Sequence, residues 1–511
     1  MSYNWEELNQ KTLELFQEEK YEEALNAASQ AVDAARAADD RQHLALALSN
    51  MGEMCQTLGD YVRAESIKKE ALDVYSEMFG ADHPETATTL YSLAVLYMEL
   101  GRVTDAEPLF HRELEIREKN QGAEHVDLVQ SLVGLGECAR MLGRMEEARA
   151  YLKRAVSIME GAWGDTNPEM GPVLVSLSDT YQGESELEEA GALLRRTIKL
   201  YEETVGPEHP AFVQALSKQA ENYFARRMYP GAETLFEQSL SLMRDMFPEE
   251  DAEIARLLEK LSETHLVMGK GEKVEENLNE AIKLYKKAFG EEDAAVAQAQ
   301  NLLGEFYFST EKTEQAKALY ESALKIREAA LEPNHPALAQ SQNNLAVLLS
   351  KERDYAQAEQ LHLKALEIRR TVFGNRHLVV AQSLENLAGV YQGMEEYKKG
   401  IESLKEAIAI WLENTGEKHP SVAENYYNLG GLLFADGQYH EAEEVLGKAR
   451  KIMVDKYGKD HMSLCPIYNG LSAVCEKLGH ELEAKEYMAR VANIYKQEWT
   501  RMEEANKKRE K

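Results

Sequence analysis

Seven histidines recur in this sequence at spacings that are multiples of 42 residues. Histidine is the commonest side-chain ligand of protein-bound metals, so a regular series first suggests metal binding. The members are His83, His125, His209, His335, His377, His419 and His461. One histidine per repeat leaves neighbouring imidazoles a helix layer apart, about 10 Å, whereas a zinc–nitrogen bond is about 2 Å long. The series therefore predicts a structural turn, with no metal and no cofactor.

Other side chains that could do chemistry give weaker signals. The four cysteines show neither CxxC spacing nor a dense framework, which favours a reducing compartment and a packing role. Gly134 and Gly136 imitate part of a phosphate loop, but they lie mid-helix by register and lack the preceding strand. No Ser-His-Asp order or HExxH motif stands out. We therefore predict that the chain is not an enzyme.

The sequence around each histidine also repeats. The stretch FGADHPETATTLYSLAVLY returns six periods later as LEPNHPALAQSQNNLAVLL. A fixed period of 20 to 50 residues indicates a solenoid, a propeller or an array. Leu90, Leu93, Ala94 and Tyr97 are spaced as one face of a helix, and a second helical stripe follows the break at GRVTDAE. Each unit is therefore predicted to be two amphipathic helices, which excludes the propeller.

Start and stop signals separate these helices. Proline directly follows the repeating His or Asn at Pro84, Pro168, Pro210, Pro336 and Pro420, which suits the first helical position. Asn167, Asp251 and Asp293 replace the histidine in other units and are good N-caps. The preceding helix commonly stops at a glycine. That glycine is missing at Pro248 and Glu332, where the stacking of units is expected to change.

Small residues recur where two helices must approach closely. The first helix carries Leu followed by Ala, Gly or Ser, often with Tyr three residues later, and the second helix carries Ala106, Ala148, Ala190 and their equivalents. This pattern resembles the tetratricopeptide repeat, TPR, and the 42-residue unit resembles that of the kinesin light chain family. The resemblance implies an all-α, right-handed TPR superhelical solenoid of about twelve helix–turn–helix repeats. We assign the array to residues 1–500, with a first repeat at about 5–40 and 42-residue units after it, and a charged C-terminal tail to residues 501–511.

Charge limits the class of partner. The chain has 89 acidic and 58 basic residues in 511, a net charge of -31, which argues against nucleic acid and anionic membranes. No apolar run approaches the 18 residues of a membrane span, so a cytoplasmic location is expected. The remaining partner class is a protein or peptide segment, and the net charge favours basic or neutral ones.

The resemblance also implies which face binds. In TPR arrays the first helix of each pair lines the concave groove, and in the kinesin light chain family asparagines of the NNLA motif form a ladder along a bound peptide backbone. A carboxamide both donates and accepts, so it can pair with any peptide unit. The ladder predicted here comprises Asn50, Asn344, Asn386 and Asn428, extended one position earlier by Asn301, Asn343 and Asn469.

Two residues after the Leu, a second stripe is acidic. Its members are Glu53, Glu137, Asp179, Glu221, Glu263 and Glu305. The stripe ends where the asparagine run begins, and Tyr427 and Phe434 add aromatic character there. We therefore predict a groove that is acidic in its N-terminal two thirds and neutral in its C-terminal third. The acidic part would steer Lys/Arg-rich segments toward the groove.

The function that these features favour is a non-enzymatic scaffold that binds a peptide segment of a partner in the concave groove. The alternative is self-assembly through the terminal repeats, since Ile494, Tyr495 and Trp499 are apolar residues that a sealed cap does not need. A sensor of a small ligand is the least favoured hypothesis.

Overall fold

The computed structural model describes residues 5–18, 20–183 and 185–509, and these residues form helices joined by short turns. In residues 1–249 the helices are α1 Trp5–Gln17, α2 Tyr21–Ala37, α3 Arg41–Thr57, α4 Tyr61–Phe79, α5 Pro84–Glu99, α6 Val103–Gln121, α7 Leu128–Met141, α8 Met145–Trp163, α9 Met170–Gly183, α10 Leu187–Thr204, α11 Pro210–Ala225 and α12 Tyr229–Met246. In residues 250–511 they are α13 Asp251–Val267, α14 Gly271–Phe289, α15 Ala294–Ser309, α16 Thr313–Ala330, α17 Pro336–Lys351, α18 Tyr355–Phe373, α19 Leu378–Gly393, α20 Tyr397–Thr415, α21 Pro420–Ala435, α22 Tyr439–Tyr457, α23 Cys465–Leu478 and α24 Glu481–Arg509, with a 3₁₀ turn at Met462–Leu464.

The chain divides into two compact units, residues 1–249 and 250–511. Within each unit an odd-numbered helix packs on the next even-numbered helix, and each pair packs on the following pair. The division falls beside Pro248, one of the two positions where the stop glycine is missing. The predicted all-α solenoid of about twelve helix pairs is confirmed. One continuous array over residues 1–500 stays a prediction.

Five of the seven repeating histidines are N-caps of α-helices, as the sequence predicts, whereas His461 caps the 3₁₀ turn and His125 lies two residues before Asp127, the N-cap of α7. The Nδ1 atom of His83 accepts a hydrogen bond from the backbone N–H of Glu85 at 3.2 Å, and Pro84 is the first helical residue. The same cap is made by His209, His335, His377 and His419. Asp293 makes it with a carboxylate, at 2.8 Å from the N–H of Ala295. Each cap satisfies one N–H that the first helical turn leaves without an intrahelical partner.

Small residues fix how closely the two helices of a pair approach. Ala106, Ala148 and Ala316 are fully buried at equivalent positions of the second helix. On the first helix, a Cβ at Gly136 would lie 2.8 Å from Cγ of Leu152. A Cβ at Gly304 would lie 2.6 Å from the ring of Tyr320. A larger side chain at these positions would force the pair apart, because protein cores have almost no spare volume.

The chain termini differ from the interior units. Helices α1 and α2 form the first pair and span residues 5–37. Helix α24 is 29 residues long, whereas the preceding second helix, α22, has 19. The predicted tail at 501–511 is therefore the end of α24 as far as Arg509, and its last two residues lie outside the described part of the chain.

Candidate functional site

The structure places the two central asparagines of the predicted ladder at half-buried positions on α17 and α19. Nδ2 of Asn344 donates to Oε1 of Glu305 at 2.9 Å, and Nδ2 of Asn386 donates to Oδ1 of Asn343 at 2.8 Å. Both bonds join neighbouring helix pairs. Each asparagine therefore uses one amide N–H inside the array, which leaves less of the side chain for a bound peptide.

The other predicted asparagines fall into two groups. Nδ2 of Asn50 donates to Oδ1 of Asn9 at 2.7 Å, and Asn301 is 1% exposed and donates to Oγ of Ser341 at 2.8 Å. Burial leaves the side chain of Asn301 out of contact with solvent. Asn428 and Asn469 are exposed and make no side-chain hydrogen bond within the described residues. These two carboxamides are the accessible ones.

The aromatic residues predicted beside the asparagines are half-buried. Tyr427 and Phe434 pack against the apolar core of residues 250–511. The ring of Phe434 makes an edge contact with Tyr439, with centroids 5.4 Å apart. Both rings therefore contribute to packing as well as to the surface.

The acidic stripe forms bridges between successive helix pairs, a role that the sequence analysis missed. Oε1 of Glu53 accepts hydrogen bonds from Nζ of Lys68 and from Oγ of Ser92, both at 2.7 Å. Asp179 accepts from Nζ of Lys218 at 3.2 Å, and Glu305 accepts from Asn344. In each bridge the donor on the following helix pair lies 39 residues after the acid. These donors are Ser92, Lys218 and Asn344.

The remaining acids of the stripe are paired more locally. Glu137 accepts from Arg140 at 3.0 Å, and Glu263 accepts from Lys260 at 3.1 Å. Glu221 also has an electrostatic or hydrogen-bond partner. Burial raises the pKa of the Glu305 carboxyl. The stripe is thus a set of partnered carboxylates, and its charge is partly compensated within the array.

One concavity lies in residues 1–249, where the first helices α5, α7 and α9 line it together with residues of α6 and α8. It has a volume of about 610 Å³ and opens to solvent. Its apolar lining includes Val95, Met98, Val133 and Trp163. Gly134 lies over the ring of Phe110, where a Cβ would come within 2.8 Å, so the absence of a side chain there keeps the cavity open.

Carboxylates surround this cavity. Glu99 and Glu169 are exposed and have no ion pair within the described residues. Asp127 accepts from Nε2 of Gln121 at 2.7 Å and lies 3.8 Å from the guanidinium of Arg117, which also contacts the buried carboxylate of Glu113. Arg117, the one basic residue among the described residues that line the cavity, is therefore held by two acids. The cavity combines an apolar floor with an acidic rim.

Of these lining residues, the sequence analysis named only Glu137 as a site residue. Gly134 gave a weak signal of the cavity, because asparagine, serine or lysine occupies most equivalent positions of the first helix. The apolar lining gave no signal, since valine and methionine on a helix read as ordinary core residues.

Comparison with known proteins decides the family. The tetratricopeptide repeat family matches residues 13–77, 43–97, 85–161, 169–245, 253–329, 295–371, 379–453 and 421–497, which together span most of the chain. The chain belongs to the tetratricopeptide repeat family. Among curated proteins no sequence match was found.

Several solved structures of TPR-type proteins are similar to this one. BtubC (BKLC) from P. vanneervenii is 22% identical with a TM-score of 0.41, and the match covers 46% of this chain and 92% of that chain. A kinesin light chain protein with TPR-like repeats from Podosopora anserina is 22% identical with a TM-score of 0.37, covering 39% and 93%. The apo form of RapI is 17% identical with a TM-score of 0.41, covering 56% and 97%.

TPR proteins serve in general as interaction scaffolds. All four cysteines are free and buried, and burial raises the pKa of Cys138 to about 11, so this thiol is a poor nucleophile at neutral pH. Within the described residues no helix is long and apolar enough to cross a membrane.

Proposed function

We propose that this TPR protein is a non-enzymatic scaffold that binds a segment of a partner protein in the cavity formed by α5, α7 and α9. The segment has an apolar side chain that enters the cavity and Lys or Arg residues on either side of it. The observation that carries this proposal is the apolar cavity of about 610 Å³ with carboxylates at its rim.

The physical basis has two parts. An apolar side chain that leaves water for the floor of Val95, Met98 and Val133 gains about 25 cal/mol per Å² of buried surface. Flanking cations would face Glu99 and Glu169, the two rim acids that no basic residue within the described chain neutralises. Complementary charge of this kind raises the association rate and selects the partner's composition.

Fewer asparagines contribute to peptide binding in this proposal than the sequence predicts. Asn428 and Asn469 keep their amide groups exposed and could bind the backbone of an extended segment. Asn344 and Asn386 hold neighbouring helix pairs together through Glu305 and Asn343. We place the scaffold in a reducing compartment such as the cytoplasm, which its four free cysteines support.

The test is a selection of random peptides on phage against the purified full chain, followed by fluorescence polarisation with one selected peptide. We expect enrichment of an apolar residue between Lys and Arg. Val133→Trp, which fills the cavity, should weaken binding of that peptide about tenfold or more, the equivalent of about 1.4 kcal/mol. Glu99→Lys with Glu169→Lys should weaken it similarly and reduce its dependence on salt.

A matched control is Glu22→Lys with Glu202→Lys, which makes the same change in net charge on exposed residues of α2 and α10. It should bind as the wild type does. Circular dichroism confirms that each variant is folded. Selected peptides without the apolar–basic pattern, or unchanged affinity in both the Trp and the charge-reversal variants, would contradict the proposal.

A specific observation supports self-assembly as a second function. On α24 the apolar residues Met488, Tyr495 and Met502 are spaced seven residues apart, with Trp499 between the last two, and all four are about half exposed or more. Heptad spacing is typical of helix–helix contacts. Within the described residues α24 packs mainly on α23, with smaller contacts to the 3₁₀ turn and to α22, where Arg450 donates to the Tyr487 hydroxyl at 2.9 Å. Ile494, which the sequence analysis placed in this surface, is buried at 1% exposure.

The occupant that this stripe favours is α24 of a second copy. Sedimentation velocity at rising protein concentrations should then show a monomer converting to a dimer, and Tyr495→Lys with Trp499→Lys should remain monomeric. Val62→Lys, at a side chain that is 85% exposed on α4, controls for a new charge. A wild-type chain that is monomeric at every concentration would exclude this function.

A further inference from the structure

Four side chains of different chemical types meet where α22, α23 and α24 converge. They are Glu443 on α22, Cys475 on α23, His480 in the turn that follows, and Glu483 on α24. The Cys475 sulfur lies 3.7 Å from Oε1 of Glu443 and 4.0 Å from Oε2 of Glu483. Nδ1 of His480 lies 3.8 Å from Oε1 of Glu443. All four ligand atoms lie within 4.8 Å of one another.

The same four positions are occupied differently nine periods earlier in the chain. There Glu65, Tyr97, Arg102 and Asp105 form a closed cluster. The Tyr97 hydroxyl donates to Glu65 at 2.9 Å, and the Arg102 guanidinium donates to Glu65 at 2.9 Å and to Asp105 at 2.7 Å. A permanent cation therefore lies between the two carboxylates.

A second unit has the same arrangement. The Tyr307 hydroxyl donates to Glu275 at 2.9 Å, and Nζ of Lys312 donates to the other oxygen at 2.8 Å. Lys312 stands at the position of Arg102 and of His480. In these two units the second helix of one pair is joined to the turn before the next second helix through a carboxylate and a basic residue.

At Glu443 the permanent cation is missing. Histidine replaces Arg or Lys, and cysteine replaces tyrosine, so two carboxylates face a thiol and an imidazole. Within the described residues neither Glu443 nor Glu483 has a Lys or Arg ion-pair partner. The substitutions exchange a basic residue and a phenol, which do not bind zinc, for the two side chains that bind it best.

We propose that Glu443, Cys475, His480 and Glu483 form a binding site for a zinc-type divalent cation, which takes the place of the arginine or lysine used in other repeats. Zinc bonds of 2.0–2.3 Å in a tetrahedron put neighbouring ligand atoms about 3.3–3.7 Å apart. The separations of 3.7, 3.8 and 4.0 Å need only small side-chain movements to reach this geometry.

Binding transfers the Cys475 thiol proton to solvent and joins its thiolate sulfur to the metal, with no oxidation or reduction. The ligands come from three helices, so the ion would hold α22, α23 and α24 together at the last helix pair. The sequence predicts no metal site anywhere in the chain, and this proposal departs from that prediction. His480 is not a member of the repeating histidine series on which the prediction mainly rested.

The test uses the full chain, freed of metal under reducing conditions, and Co²⁺ as a spectroscopic probe. One equivalent of Co²⁺ should produce visible bands of tetrahedral coordination and a near-ultraviolet band from thiolate to cobalt. Zn²⁺ should then displace the cobalt and abolish both bands. Calorimetry should give one zinc ion per chain and proton release that depends on the buffer.

Two variants and one matched control make the result specific. Cys475→Ser should lose the thiolate band and weaken zinc binding beyond the roughly 10- to 100-fold typical of groups that only orient a ligand. His480→Arg, which restores the cation found at Arg102, should remain folded and should bind no cobalt in tetrahedral form. Cys55→Ser removes a buried cysteine at the equivalent repeat position, beside Asp60 and Arg63, and should bind as the wild type does.

Equal zinc affinity in the wild type, Cys475→Ser and His480→Arg would overturn the proposal, since it would mean that surface carboxylates bind an adventitious ion only. Octahedral cobalt spectra in the wild type would also overturn it. Circular dichroism and the melting temperature of His480→Arg show whether a loss of metal binding reflects the loss of the site or unfolding of the chain. We expect this variant to fold, because arginine already occupies the equivalent position at Arg102.

Discussion

Replacement of Phe110 by alanine is expected to destabilise residues 1–249 by about 3–5 kcal/mol, the usual cost of removing a buried phenylalanine. The ring is 2% exposed and makes an edge contact with Tyr91, with centroids 5.7 Å apart. It also fills the space above Gly134, where no side chain of α7 is present to occupy the void. The cavity created by the substitution therefore cannot close without moving α5 or α7.

Two measurements check this effect. Urea unfolding followed by circular dichroism gives the change in stability, and hydrogen–deuterium exchange should show faster exchange in α5–α8 than in the pairs of residues 250–511. Val62→Ala, at an 85% exposed side chain, should change stability by less than about 0.5 kcal/mol. A loss of less than about 1 kcal/mol for Phe110→Ala would show that the pair can repack around the missing ring.

The second large effect is expected at Gly304, in the middle of α15. Alanine normally stabilises a helix interior by about 0.8–1 kcal/mol relative to glycine. Here the added Cβ would lie 2.6 Å from Cε1 and 2.8 Å from Cδ1 of Tyr320, whose ring is 2% exposed. Overpacking of this kind costs about 1–3 kcal/mol, so Gly304→Ala should destabilise residues 250–511.

Gly389 provides the control, because it lies at a similar position along α19 but is exposed and has nothing within 4 Å of its would-be Cβ. Gly389→Ala should stabilise the same unit by about 0.8–1 kcal/mol. Opposite signs of the two changes in urea unfolding would confirm that close packing sets the small residue after each Leu. Stabilisation by both substitutions would mean that the pair tolerates a wider separation.

The local signals in this sequence were sufficient to predict the fold of each helix pair. The role of the repeating histidines followed from their place before proline, and the hydrogen bond from Glu85 to His83 bears it out. The small residue at 304 followed from its place after Leu303, and its contact with Tyr320 explains it. Such features depend on residues within a few turns of one helix or on one helix pair, so periodicity reveals them.

The acidic bridges and the cavity on the surface could not be predicted from periodicity. The partners of Glu53 and Asp179 lie 39 residues further along the chain, and a stripe of acids alone does not show which donors will reach it. The cavity beside Gly134 exists because three first helices leave a gap that Phe110 only partly fills. Both depend on side-chain packing between successive pairs, which the sequence pattern does not specify.

The sequence by itself determined that this protein is an array of helix pairs, because the 42-residue period fixes where each helix begins, ends and needs a small residue, and the pattern of those residues resembles the TPR. Only the tertiary structure decided which polar residues remain accessible, placing Asn301 in the core and leaving Asn428 exposed. It also decided that Cys475 and His480 meet Glu443, which lies more than 30 residues earlier. The physical reason is that a binding site requires atoms within a few ångströms, and residues from different helices reach that distance only when the pairs are stacked.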